Sequence, residues 1–134
     1  MKQLTVTAAI LINNNQILCM QRDKAKYDYI SYKFEFPGGK LEEGETNEKC
    51  LSRELAEEMG IEIKIKDTNY FMTIEHNYPD FSIKMHSYII VVPSRNFIMK
   101  EHIDAKWLNA NELESLDWAE ADKPIVKELK RKFK

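Results

Sequence analysis

The sequence predicts a mixed β-sheet sandwiched between helices, an α/β (α+β) architecture, in one domain spanning residues 1–134. Three observations point there. Short apolar or alternating runs bounded by turn residues recur along the chain, a capped amphipathic helix follows a glycine-bearing loop, and a second amphipathic helix lies near the C-terminus. The length suits a single hydrophobic core. No repeat, low-complexity tract or linker marks an internal boundary.

Taken in order, "LTVTAAILI" and "ILCMQR" read as two strands joined by the asparagine-rich turn "NNNQ". "DKAKYDYISYKF" is polar and aromatic without a clear period, which predicts a loop. "EFPGGKLEEGE" is punctuated by Pro37, Gly38, Gly39 and Gly44 and predicts a second loop with special backbone geometry. Thr46 or Asn47 can cap a helix running to about Met59, where Gly60 closes it. "IEIKIK" alternates strictly and predicts a strand, as do "NYFMTIEH" and "FSIKMHSYIIVV" around a turn at Pro79-Asp80, and "AKWLN" as a last short strand. "NELESL" predicts a short helical piece. "DKPIVKELKRKF" predicts a helix with Asp122 as N-cap and Ile125, Val126, Leu129 and Phe133 as its buried stripe.

Composition narrows the function classes. Apolar residues are 43% and charged residues 31%, and the formal net charge is only −2. No global field draws this protein onto a nucleic-acid polymer, whereas nucleotides as small ligands remain open. Cys19 and Cys50 are too few and too far apart for a disulfide framework or a zinc site. "MKQLTVTAAILI" reads as a first strand and lacks the long apolar core of a signal or spanning segment, so a reducing cytoplasm and no membrane partner are expected.

The segment Gly39–Ile61, "GKLEEGETNEKCLSRELAEEMGI", gathers seven glutamates against Lys40, Lys49 and Arg53. On a helix, Leu51, Leu55 and Met59 form one apolar stripe, and Glu54, Glu57 and Glu58 share an adjoining face. Solvated like-charge pairs at this spacing repel by roughly a few tenths of a kcal/mol, and more when partly desolvated. Arg53 stands at i, i+4 from Glu57, and one arginine cannot offset all three acids. A solvated acidic surface is the plainer reading of such a helix. The glycine loop leading into it, and an acidic stripe beside the apolar one instead of opposite it, favour a bound divalent cation. Mg²⁺ suits oxygen ligands of this kind and leaves positions for water and substrate phosphates.

Gly39, Glu45, Arg53, Glu54, Leu55, Glu57, Glu58, Gly60 and Ile61 meet every specified position of G-x5-E-x7-R-E-U-x-E-E-x-G-U, with U aliphatic. That is the signature of the Nudix hydrolases, and the chain is identified by it as resembling that family. The likeness extends over essentially the whole chain to the MutT-like branch, of the 8-oxo-dGTP diphosphatase and CTP pyrophosphohydrolase type. It takes in "KFEFPGGK" before the signature, "YPD" at Tyr78–Asp80, Glu101 six residues before Trp107, and "ADKPIV".

The resemblance implies a Nudix fold and a nucleoside triphosphate pyrophosphohydrolase releasing a monophosphate and pyrophosphate, with Mg²⁺ as cofactor and Mn²⁺ able to substitute. By the same resemblance Glu54, Glu57, Glu58, Glu101 and the Gly38 carbonyl hold the metal, Arg53 orients the glutamates and Glu45 supports them. Glu54 or Glu101 is the general base; coupled acids titrate as a set, and spacing does not choose between them. Lys40 follows the glycine pair, where a cation can meet a phosphate, and Arg22 matches an arginine near the nucleotide. Leu4, Val6, Phe36, Tyr78 and Ile83 occupy positions that line a base pocket in the family fold. His76, His86 and His102 form no ligand cluster and are assigned no role.

Asp122 stands where MutT relatives commonly have an asparagine that reads the base edge. An ionised aspartate only accepts hydrogen bonds, whereas a protonated one imitates part of the asparagine pattern, a form that burial favours. Damaged guanine or cytosine nucleotides are the leading substrates, and clearing them from the nucleotide pool the implied task. Two rivals stay open at the level of sequence: another nucleoside diphosphate linked to X (a nucleotide sugar, ADP-ribose or a dinucleoside polyphosphate), and a non-catalytic nucleotide-binding module.

Overall fold

The computed structural model describes residues 2–133. Its centre is strand β1 (Lys2–Asn13), which folds back through the Asn14-Asn15 turn onto β2 (Gln16–Arg22). Both turn asparagines have positive φ, 51° and 64°, the conformation of a tight hairpin turn that matches strand twist. Two short strands follow, β3 (Phe34–Glu35) and β4 (Gly38–Lys40), where the sequence predicted only loop. Helix α1 (Asn47–Met59), β5 (Tyr70–Asn77), β6 (Phe81–Val91), β7 (His102–Leu108) and α2 (Lys123–Lys132) complete the fold.

The sheet runs β3-β2-β1-β6-β5, with β4 also on β1 and β7 also on β2. It is mixed: β1 and β6 pair in parallel from Lys2↔Phe81 to Ile12↔Val91, and the other pairings are antiparallel. Along its other edge β1 changes partner, taking β4 at Val6–Ala8 and β2 only at Ile12–Asn13. This split in the pairing leaves room for a cleft beside the first half of β1.

Alternation along β1 feeds two cores, one on each face. Ala8, Ile10 and Ile12 pack with Ile125, Val126 and Leu129 of α2, whereas Ala9 and Leu11 pack with Leu51, Leu55 and Met59 of α1. A sheet between two helical layers is the predicted sandwich. The caps of α1 follow the sequence: the Thr46 side chain accepts from the Lys49 N–H at 3.2 Å, and Gly60 ends the helix in the left-handed region with φ 66°.

Three expectations are corrected. Ile61–Lys66 buries alternate residues down to Ile65, as a strand would, yet pairs with no strand; the Ile65 N–H goes instead to Ser52 Oγ at 3.1 Å. Periodicity reported the one-sided burial and could not report the missing neighbour. Phe133 is 45% exposed, because α2 ends at Lys132 and its stripe with it. Asp122 precedes α2 but already has helical φ and ψ, and its side chain makes no capping hydrogen bond. Pro124, whose nitrogen carries no hydrogen, removes one of the donors such a cap would serve. "AKWLN" belongs to a longer strand reaching back to His102, and "NELESL" forms a 3-10 turn over Ala110–Ser115. Cys19 and Cys50 are buried free thiols.

Candidate functional site

A cleft of about 840 Å³ opens beside the first half of β1. One wall is apolar and aromatic, with Leu4, Val6, Phe36, Tyr78 and Ile83; the other end is acidic, with Glu54, Glu58 and Glu101. Gly38, Lys40, Arg22 and Asp122 also line it. Of the predicted site residues, the fold brings all of these together. Arg53, Glu45 and Glu57 lie outside the lining.

Arg53 organises the acids from behind. Its Nε and Nη2 donate to the two oxygens of Glu45 at 2.6 and 3.0 Å, a bidentate pair. Nη1 reaches Glu54 at 3.0 Å and Glu57 at 3.3 Å, and Nη2 also donates to the Lys40 carbonyl at 3.2 Å. The guanidinium holds the Glu45 carboxyl down to about 2 from an ordinary 4.5. Glu45 also accepts the Glu42 N–H at 2.9 Å, which ties the 42–45 turn to the helix.

The cleft carboxyls behave differently. Glu54 is only 16% exposed at its side chain, and this desolvation raises its pKa despite the hydrogen bond and charge of Arg53, with Glu58 and Glu57 adding to the rise. Burial also raises Glu58, followed by the charge of Glu101, whose carboxyl lies within hydrogen-bond reach. Two desolvated carboxyls of like charge, with Glu101 beside Glu58, make a repulsive cluster that a cation would relieve. Glu57 is more than half exposed on the outer side of α1, turned to Arg53.

Strand register explains the geometry at the glycine pair. Leu41 N–H bonds Thr5 O and Ala9 N–H bonds Pro37 O, so the intervening Thr7–Gly39 couple also exchanges ladder bonds. The Gly38 and Lys40 carbonyls therefore point away from β1. Arg53 takes the Lys40 carbonyl, with Cys50 Sγ beside it at 3.4 Å, and that of Gly38 faces the cleft. Neither position has room for a side chain as the site stands: a methyl on Gly38 would collide with the Thr7 backbone carbonyl, and one on Gly39 would push against the Glu54 carboxyl, its oxygens 2.5 Å away.

Among the described residues no three His, Cys, Asp or Glu side chains stand close enough together to hold a metal ion as they are. The donor chemistry nevertheless fits a hard divalent cation: Glu54, Glu58 and Glu101 with the Gly38 carbonyl supply oxygen ligands at one end of the cleft.

At the other end Asp122 is 4% exposed, and its Oδ2 accepts the Phe36 N–H at 3.1 Å. Burial, with the charge of Glu35 second, pushes its carboxyl well above the ordinary carboxylate range. Tyr78 accepts the Ala121 N–H at 3.0 Å, which fixes the approach to α2 against the aromatic wall. Sequence reasoning missed two cleft residues, Glu35 and His102. His102 Nε2 donates to Glu35 Oε2 at 2.9 Å, and Arg22 Nη1 stands 3.4 Å from Glu35 Oε1. No local motif joins them; the signal is only their positions at strand ends that flank β2.

Comparison with known proteins shows the family and the fold. The NUDIX domain model matches residues 1–129. An 8-oxo-dGTP diphosphatase of Escherichia coli (strain K12) is 32% identical over 131 residues, covering 98% of this chain and 99% of that protein. A CTP pyrophosphohydrolase of the same strain is 31% identical over 126 residues, covering 94% and 90%. The solution structure of the MutT protein of methicillin-resistant Staphylococcus aureus 252 superposes with a TM-score of 0.74 at 34% identity, covering 98% and 99%.

Proposed function

The chain belongs to the NUDIX family, and from that premise we propose that it is a Mg²⁺-dependent nucleoside triphosphate pyrophosphohydrolase of the MutT type, with oxidised guanine or modified cytosine nucleotides as substrates. Its relatives carry diphosphatase and pyrophosphohydrolase names. Enzymes of this family are hydrolases that act on phosphoric anhydrides of small nucleotides and use divalent metal. The observation that carries the reading is one cleft with desolvated carboxyls at one end and an aromatic wall with a buried aspartate at the other.

The chemistry follows from the two ends. A triphosphate is polyanionic and cannot approach Glu54, Glu58 and Glu101 unless positive charge intervenes. Bound there with the Gly38 carbonyl, Mg²⁺ or Mn²⁺ would neutralise the phosphates and acidify a coordinated water. Cleavage between the α and β phosphates consumes one water and yields a monophosphate and pyrophosphate. Glu54 and Glu101 are the carboxylates that fit the role of taking the water's proton. Arg53 and Glu45 hold Glu54 at the cleft, and Glu57, at i+3 from Glu54 on α1, would complete the ligand set if it turned from Arg53. Lys40 and Arg22 meet phosphate oxygens. Phe36 and Tyr78 pack against the base, and the second oxygen of Asp122 reads its edge; in the protonated form, which burial favours, that carboxyl can both donate and accept.

The test is product analysis. Purified protein with Mg²⁺ is given ordinary, 8-oxo and 5-substituted nucleoside triphosphates, and the products are separated. Monophosphate with stoichiometric pyrophosphate is expected, with EDTA abolishing release. Diphosphate plus orthophosphate, or turnover confined to nucleotide sugars and dinucleotides, would overturn the proposal.

A further inference from the structure

The acidic end of the cleft depends on a residue that arrives from an irregular segment. Ile98 anchors the approach, its N–H bonded to the Met59 carbonyl at 3.0 Å. Met99, Lys100 and Glu101 then run without regular structure until β7 begins at His102. Nothing in that short stretch of backbone fixes where the Glu101 carboxyl stands, yet it lies within hydrogen-bond reach of Glu58. The first anchors after it are both at His102, the pairing of its backbone position with Arg22 and the hydrogen bond of its side chain.

His102 is well packed, 11% exposed, and its ring N–H reaches Glu35 Oε2 at 2.9 Å. A carboxylate can only accept, so the imidazole Nε2 is the donor. Glu35 is held in turn, with Arg22 Nη1 3.4 Å from its other oxygen. Register explains the convergence. Glu35 lies opposite Met20, and Arg22 lies opposite His102 across the bulge after Gln21, so β3, β2 and β7 direct the three groups together. Phe36, the residue after Glu35, is the one whose N–H holds Asp122, and the Glu35 charge acts on Asp122 as well.

We infer that Glu35 and His102 are a positioning pair joining the two ends of the cleft: Glu35 holds the His102 ring, and His102 sets the position of the adjacent Glu101 carboxylate at the cation site. This rests on the reading of Glu101 as a metal-binding carboxylate. Neither residue touches the reacting atoms. Groups that orient metal ligands from behind typically change metal affinity by about 10–100-fold when removed.

The experiment measures Mn²⁺ binding to the nucleotide-free protein by electron paramagnetic resonance, so that it does not depend on turnover. His102→Ala should weaken Mn²⁺ binding about tenfold while the melting temperature stays near wild type. His102→Gln, whose amide can still donate to Glu35, should recover most of that loss. Glu35→Leu, which removes the acceptor and keeps the strand, should match His102→Ala and serves if the latter does not fold. In a Glu101→Gln background His102→Ala should add no further loss, because both act through one carboxylate. Unchanged affinity in folded His102→Ala or Glu35→Leu would overturn the pair, as would additive losses with Glu101→Gln. If Glu101→Gln alone left Mn²⁺ binding intact, the reading of Glu101 itself would fall, and the inference with it.

Discussion

Two glutamates nine residues apart in sequence, Glu45 and Glu54, sit in opposite electrostatic worlds. Glu45 is gripped by both arms of Arg53, and its carboxyl is held near 2 against an ordinary 4.5. A carboxylate whose folded value is depressed stabilises the fold fully above its unfolded value and loses that contribution as the pH falls toward the folded one. Glu45→Gln should therefore be less stable than wild type at neutral pH, with the gap closing between pH 4.5 and about 2. Urea midpoints measured across that range would show it; a constant offset at every pH would refute it. Glu54, by contrast, is raised by desolvation even though Arg53 touches it. The spacing of the signature made Arg53, Glu45 and Glu54 legible in the sequence, because residues on one helix turn and the loop before it are fixed by local geometry. Glu35 and His102 were not legible. They lie 67 positions apart, and only the antiparallel flanking of β2 brings them to 2.9 Å. Glu57 was legible as part of the stripe but not as an exposed partner of Arg53, since spacing gives the helix face and not the rotamer.

At the level of the element, the three residues of β4 carry a contrast that separates folding from chemistry. A methyl on Gly38 meets backbone, the Thr7 carbonyl and Ala8 Cα at 2.9 Å, so the β1–β4 pairing itself must open. Gly38→Ala should destabilise by roughly 1–3 kcal/mol, the usual effect of overpacking. A methyl on Gly39 meets the end of a flexible side chain, the Glu54 carboxyl. Gly39→Ala should fold with nearly wild-type melting and lose about 10²-fold in pyrophosphate release, because Glu54 is displaced by a distance that matters for chemistry. Equal losses of stability in both variants would contradict this account. The helix behind the strand was readable in detail, since Thr46, Gly60 and the Leu51–Leu55–Met59 stripe are signals contained within α1. Strands defined by a distant partner were harder. Ile61–Lys66 has the alternation of a strand and no neighbour, whereas Phe34–Glu35 and Gly38–Lys40 have neighbours and too few residues for any period. Asp122 misled for a related reason. An aspartate before a proline-bearing helix is a cap by local rules, and a tertiary partner, the Phe36 N–H, claimed its oxygen instead.

The whole molecule holds a fold built around a repulsive centre, and the sign of its pH response follows. Glu54 and Glu58 are both raised, chiefly by desolvation, with Glu101 next for Glu58. A carboxyl raised on folding makes the native state bind more protons than the unfolded chain, so this part of the stability is greatest at low pH and falls as pH rises past the ordinary value of 4.5. That trend opposes the one from Glu45 and lies at higher pH. A divalent cation competes with those protons for the same oxygens. At tenfold its dissociation constant a ligand that binds only the folded state stabilises by about 1.4 kcal/mol, which for a chain of this size is a rise in melting temperature of roughly 3–5 °C. Thermal melts in Mg²⁺ or Mn²⁺ against EDTA should show a larger rise at about pH 8 than at about pH 5, because raised carboxyls hold protons against the cation to higher pH than ordinary ones. Glu54→Gln with Glu58→Gln should melt at least as high as wild type in EDTA, because the repulsion is gone, and should no longer respond to the cation. A cation-induced rise that is the same at both pH values, or that survives in the double variant, would locate the cation elsewhere and separate the acidic helix from the chemistry assigned to it.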